Sequence, residues 1–326
     1  MKIRYRLFLI ALTFVLSVSA STNYTLTKEE QNLIYKEAED WIDGMPDGLQ
    51  DKLSDAVNHA LRGFNSEVNF FRNIADTAGL STYKVSVKNL NVGKTGNIMV
   101  RLYKGVGVKT KVPLLIYFHG GGWSLGSVNV TEKFCRALSA SGKVIVASVE
   151  YPLSPEYPYP AAIDFCSAAI ESIAERAKEW GGEPGLISLG GDGAGGNIAL
   201  SAFEKIPSSL KIKSIVLFYP LLKSKGALNP DNKRKYGRGF GFDSRLWEAF
   251  SNAYNGQNLL LEKKLPSVLL ISAGRDIIID EEKEFSKRGI TYVEFSGALH
   301  GFITDGHQKT AFKKAVELTV QFLGGN

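Results

Sequence analysis

Four glycines fall within the six residues Gly191 to Gly196, directly behind the apolar run Leu186 to Leu189 and ahead of a helical pattern. A strand that reverses sharply into a helix needs small residues two before and two after the centre of its turn, because the two backbones close on one another there. Gly191 and Gly195 stand at those places, and Gly193 stands at the centre. The chain is therefore built around a buried strand that feeds straight into a helix.

The surrounding pattern agrees. Apolar runs suited to buried parallel strands recur at Leu114 to Phe118, Val144 to Val149, Leu186 to Leu189, Ser214 to Phe218, Val268 to Ser272 and Tyr292 to Phe295, with helical stretches between them. Before them, Tyr83 to Val87 and Ile98 to Tyr103 alternate as half-buried strands joined by a turn over Asn91 to Gly96. This predicts an α/β fold whose mostly parallel central sheet is covered by helices on both faces, with functional loops at the carboxyl ends of its strands.

Residues 1–20 read as a secretory signal: Lys2, Arg4 and Arg6, an apolar run from Leu7 to Val18, and the small-residue site Val18-Ser19-Ala20. The run falls short of the roughly 20 residues of a membrane-spanning helix, so a secreted or periplasmic protein is expected. Residues 21–79 form a helical segment that starts at a capping box, Thr27 with Glu30, and continues with a second helix near Asp47 to Leu61. Phe64, Phe70 and Phe71 are expected to pack against the core. Residues 80–326 form the sheet domain, with an aromatic-rich insertion at about 221–257.

Without the signal the formal charge falls from +6 to +3, an ordinary balance that calls for no nucleic-acid partner. The basic cluster Lys223, Lys225, Lys233, Arg234, Lys235 and Arg238 lies among glycine, asparagine and proline, and reads as a solvated loop. Cys135 and Cys166 fall on helices expected on opposite faces of the sheet, so two buried free thiols are expected. Neither they nor His59, His119, His300 and His307 have metal-ligand spacing, and no cofactor is called for.

Chemistry-bearing residues gather at strand ends. His119-Gly120-Gly121-Gly122-Trp123 follows the run ending at Phe118, and its glycines let main-chain N–H groups approach a ligand closely. Asp276 follows another run, and His300 a third, in the order of a nucleophile–acid–base triad. A base oriented by an acid needs a nucleophile to activate, yet Gly193 carries no side-chain atom.

These motifs resemble the hormone-sensitive-lipase family of α/β-hydrolases. The family's HGGG loop is matched at His119 to Gly122, its G-D-S-A-G-G elbow at Gly191 to Gly196, its Y-R-L-A-P-E-x-P-F-P-A-A segment at Tyr151 to Ala162, and its G-x-x-H-G-F at Gly297 to Phe302. The resemblance, from about Tyr83 to Phe322, implies an α/β-hydrolase fold with a helical cap and a family reaction of carboxylic-ester hydrolysis on a small ester-like or apolar molecule. It places the nucleophile position at Gly193, the acid and base at Asp276 and His300, and the oxyanion donors at the N–H groups of Gly120, Gly121 and Ala194. His119, Gly122, Trp123 and Asp192 are expected to support the loop.

The chain departs from that pattern at Gly193, where the family has Ser, and at Pro152, where it has Arg. It is also short between Tyr254 and Leu265 and between Asp276 and His300. The first departure implies a protein that binds without turning over; the alternatives are hydrolysis through a water activated by His300, or an inactivated form of an active esterase. Gly191, Gly193 and Gly196 also fit a dinucleotide-binding turn, but the next strand ends in Phe218-Tyr219-Pro220, without an acidic residue for a ribose.

Overall fold

A computed structural model describes residues 24–72, 74, 77, 79–108, 111–304 and 306–325; the signal reading lies outside them. Helix α1 (Lys28–Asp43) starts at the expected capping box, in which Thr27 Oγ1 accepts from Glu30 N and the Glu30 carboxylate accepts from Thr27 N. Helix α2 (Leu49–Leu61) begins two residues after Asp47, because Gly48 holds a left-handed backbone ahead of it. The short α3 (Ser66–Arg72) buries only Val68. Phe64 and Phe70 are 68 % and 69 % exposed, contrary to the core packing expected of them: Phe64 lies in the turn before α3, and Phe70 is on the outer side of a helix with one inward face to offer; Phe71 does pack on the core.

Strands β1 (Val85–Val92) and β2 (Ile98–Gly105) pair antiparallel, and β2 runs antiparallel to β4 (Ile145–Val149). From there β3 (Val112–Phe118), β5 (Gly182–Asp192), β6 (Ser214–Phe218), β7 (Ser267–Arg275) and β8 (Thr291–Leu299) join in parallel, giving the spatial order β1-β2-β4-β3-β5-β6-β7-β8. Side chains alternate between the faces as the period of a strand demands. Leu114, Ile116 and Phe118 join one core with Ile215 and Leu217, while Leu115 and Tyr117 join the other with Val216 and Phe218.

Helices cover both faces. Helices α4 (Glu132–Ala140) and α10 (Lys309–Gly325) pack on the second core; α5 (Ala161–Trp180) and α6 (Ala194–Lys205) pack on the first. Cys135 and Cys166 lie on α4 and α5, buried, free and on opposite faces, as expected from the places of their helices in the fold. The insertion after β6 contains α7 (Pro230–Tyr236) and α8 (Ser244–Tyr254), and α9 (Ile279–Ser286) follows β7. Part of the basic stretch is thus helix rather than loop: Asn229 caps α7 through its side chain, and Arg234 pairs with Asp231. No described helix is long and apolar enough to cross a membrane.

The tightest junction lies between β3 and the start of α6. A Cβ added at Gly195 would sit 2.0 Å from the Phe118 carbonyl oxygen, and one at Gly191 would sit 2.4 Å from the Gly195 backbone. Both obstacles are main chain and cannot rotate away. Gly195→Ala is expected to cost about 3 kcal/mol, the upper range for forcing a methyl group into filled space, read as a lower urea midpoint with an unchanged slope.

Candidate active site

Beyond Asp192 the chain turns at Gly193, with φ 49° and ψ −118°, a conformation open to glycine and strained for other residues. Four backbone bonds pin the turn. Gly193 N donates to Phe218 O at the end of β6 (3.0 Å), and Gly193 O accepts from Gly196 N (3.2 Å), Asn197 N (3.4 Å) and Leu221 N (2.9 Å). Position 193 differs from its glycine neighbours in having space: a Cβ built there meets only His300, with Nε2 at 3.3 Å.

His300 follows β8, and Asp276 follows β7. Despite the short connection through α9, the two side chains meet: His300 Nδ1 lies 2.6 Å from Asp276 Oδ2, and Asp276 Oδ1 accepts from Ile278 N at 3.2 Å. The carboxylate is wholly buried, and the imidazole is 14 % exposed. An acid bonded at Nδ1 holds a proton there, which leaves Nε2 to face Gly193 as acceptor or donor. The rings of Tyr219 (4.7 Å) and Phe242 (4.4 Å) keep the imidazole from rotating away.

The loop after β3 is held from beneath. Asp192 Oδ1 accepts from Tyr117 OH (2.8 Å) and from Gly120 N (3.0 Å). That second bond withdraws Gly120 from the role of oxyanion donor expected of it: its N–H points to Asp192. No hydrogen bond among the described residues takes the N–H of Gly121, Gly122 or Ala194, and both loop glycines line the cavity. Gly122, expected only as loop support, therefore stands with Gly121 and Ala194 as an available donor.

His119 is buried and stacks on Tyr151 (4.2 Å), whose hydroxyl donates to His119 O at 2.6 Å. Its Nδ1 bonds Gly120 O at 2.8 Å, and burial pushes its pKa below the ordinary imidazole value. Stacked and bonded in this way, the ring is held within the loop. Trp123 stacks on Tyr254 of α8 (4.4 Å), tying the loop to the insertion.

Sequence reasoning missed Arg72. From the end of α3 it donates to Ser124 O (3.0 Å) and Ser154 O (3.1 Å) and forms a two-pronged pair with Glu156 (2.7 and 2.9 Å). The guanidinium holds the Glu156 carboxyl below the usual range. The one signal in the sequence was Glu156 itself, an acidic residue in the Tyr151 to Ala162 motif without a cation in that segment.

Above Gly193 opens a cavity of about 260 Å³. Its walls come from three separate segments: Trp41 of α1, Leu49 and Leu53 of α2, and Leu246 and Phe250 of α8, with Phe242 between. The floor carries Gly121, Gly122, Gly193 and His300. Few polar groups face an apolar space, the usual build of a small-molecule site.

A profile of the alpha/beta hydrolase fold matches residues 115–304, more than half of the chain. The chain belongs to that family. Carboxylesterase NlhH of Mycobacterium tuberculosis is 42% identical over 118 residues, 36% of this chain and 37% of its own length, so the match spans little over a third of that relative. An arylesterase of Saccharolobus solfataricus is 28% identical over 228 residues, 63% of this chain and 72% of the relative. A solved esterase from Pyrobaculum calidifontis superposes with a TM-score of 0.66 at 24% identity, over 82% of this chain and 92% of the other, a likeness of fold.

In this hydrolase-fold chain Asp192 carries an electrostatic cost. Burial raises its carboxyl from 3.8 to about 6, although Tyr117 and Gly120 both bond the charged form. The native state therefore keeps that proton up to about pH 6, whereas the unfolded chain releases it near 3.8. Between those values the native state binds more protons, so stability from this group is full at low pH and is lost as pH rises through 6, by about 3 kcal/mol. Asp192→Asn should flatten that part of the profile, measured as the difference in urea unfolding free energy between pH 4 and pH 7 for parent and variant.

Proposed function

We propose that this chain is a hydrolase-fold protein of the carboxylesterase and lipase type in which Gly193 stands at the nucleophile position, so that it binds an ester-like or apolar small molecule without cleaving it. One observation carries the reading: a side chain at 193 would start 3.3 Å from His300 Nε2, while His300 remains paired to Asp276. A base, its orienting acid and unclaimed N–H donors surround a place where the attacking atom is missing. The helices of residues 24–79 and the insertion at about 221–257 act as the cap over the ligand. The reading of residues 1–20 as a signal makes the mature protein secreted or periplasmic.

Loss of a triad nucleophile costs a factor on the order of 10⁶ in turnover, leaving ~10³–10⁴ over water from binding and the oxyanion hole. The space at Gly193 also favours a second reading, in which a water there is deprotonated by His300 and attacks directly. Such a water lacks a covalent tether, so its effective concentration is low.

Gly193→Ser separates the readings. The variant should hydrolyse short-chain nitrophenyl esters at least ~10³-fold faster than the parent, and the positive φ should lower its stability by about 1–3 kcal/mol. If parent and variant are equally inert and neither binds an ester analogue, the proposal fails. Fast parental turnover that disappears in His300→Ala would establish the water route in its place.

A further inference from the structure

We infer that the ligand of this cavity is a medium-chain carboxylic acid, with its carboxylate in the space left at Gly193 and its tail among the cap side chains. The inference rests on the reading of Gly193 given above and names the chemical class that the altered site suits best.

The donors come first. An ester carbonyl offers one oxygen to the N–H groups of Gly121, Gly122 and Ala194, whereas a carboxylate offers two oxygens and asks for donors on two sides. The second side is His300 Nε2, across the gap that a hydroxymethyl group at position 193 would fill. With glycine there, the gap lies open between the N–H groups and the imidazole.

Charge follows the same line. The carboxylate enters together with one proton, carried as its own O–H or taken up from solvent, and that proton comes to rest on His300 Nε2 while the Nδ1 proton stays toward Asp276, so a carboxylate, an imidazolium and a carboxylate alternate along one hydrogen-bonded row. No net charge enters the cavity. Asp192 also borders this space, but its Oδ1 is held by Tyr117 OH and Gly120 N beneath the loop. An ester has no proton to give and would leave Nε2 with a neutral partner.

Volume sets the tail. A cavity of about 150 Å³ holds the six carbons of benzene, so the 260 Å³ here accommodates about ten non-hydrogen atoms by proportion. Octanoic acid has that many. Leu53, Leu221, Leu246 and Phe250 line the space with apolar side chains that present no donor or acceptor to the tail.

The test is calorimetric titration of the full chain with sodium octanoate, butanoate and methyl octanoate, repeated on His300→Gln and Gly193→Ser. Octanoate should bind the parent, with butanoate about two-hundredfold weaker for four lost methylenes and methyl octanoate weaker than the acid. His300→Gln should weaken octanoate about tenfold through loss of the charged donor, and Gly193→Ser should weaken it by filling the seat. No heat with octanoate, or methyl octanoate binding as tightly, overturns the inference without any variant. If Gly193→Ser gains esterase activity while octanoate binds neither protein, the ligand assignment falls and the reading of Gly193 stands. An inert Gly193→Ser beside an octanoate-binding parent sinks that reading and keeps the ligand.

Discussion

The closeness of two main chains sets the geometry from which the site follows. Where β3 ends and α6 begins, the Phe118 carbonyl occupies the space that a side chain on Gly195 would need, and Gly191 meets Gly195 in the same way. This contact brings the loop at Gly121 and Gly122 beside the first turn of α6. It also sends the chain over Gly193 with a positive φ, which turns the Cβ direction toward His300. Shift that junction by an ångström, and the donors, the imidazole and the open position no longer share one floor.

Around that junction polar groups are used in two ways. Asp192 lies beneath the loop at the edge of the cavity, where its bonds to Tyr117 and Gly120 hold the main chain in place and burial pushes its carboxyl up to about 6. Asp276 is equally buried but spends its oxygens on His300 and Ile278. One acid shapes the backbone, and the other orients a ring. Their roles differ because the end of β5 lies beside the loop after β3, whereas the end of β7 lies beside the end of β8, from which His300 follows.

Much of this was legible in the residues. The strand runs, the capping box at Thr27 and the order of His119, Gly193, Asp276 and His300 all carry local signals, since period-2 burial, cap chemistry and glycine turns act over a few residues. Contacts between distant segments left weaker traces. Arg72 reaches Ser124, Ser154 and Glu156 from a helix more than fifty residues away, and no spacing rule joins them. Gly120 was misjudged for the same reason: its N–H looked free until Asp192 arrived from β5. Phe64 and Phe70 were assigned to a core that neither the turn before α3 nor the outer side of that short helix reaches.

By itself, then, the amino-acid order determined the alternation of strands and helices, the sharp turn at Gly191 to Gly195, and the absence of any side chain at its centre, because each is a property of neighbours along the chain. Tertiary structure alone decided that Asp276 still reaches His300 across a shortened connection, which N–H groups remain unclaimed, and how large a cavity α1, α2 and α8 enclose. Those depend on how far apart separate elements come to rest. That distance is set by packing between surfaces that the sequence writes far from one another.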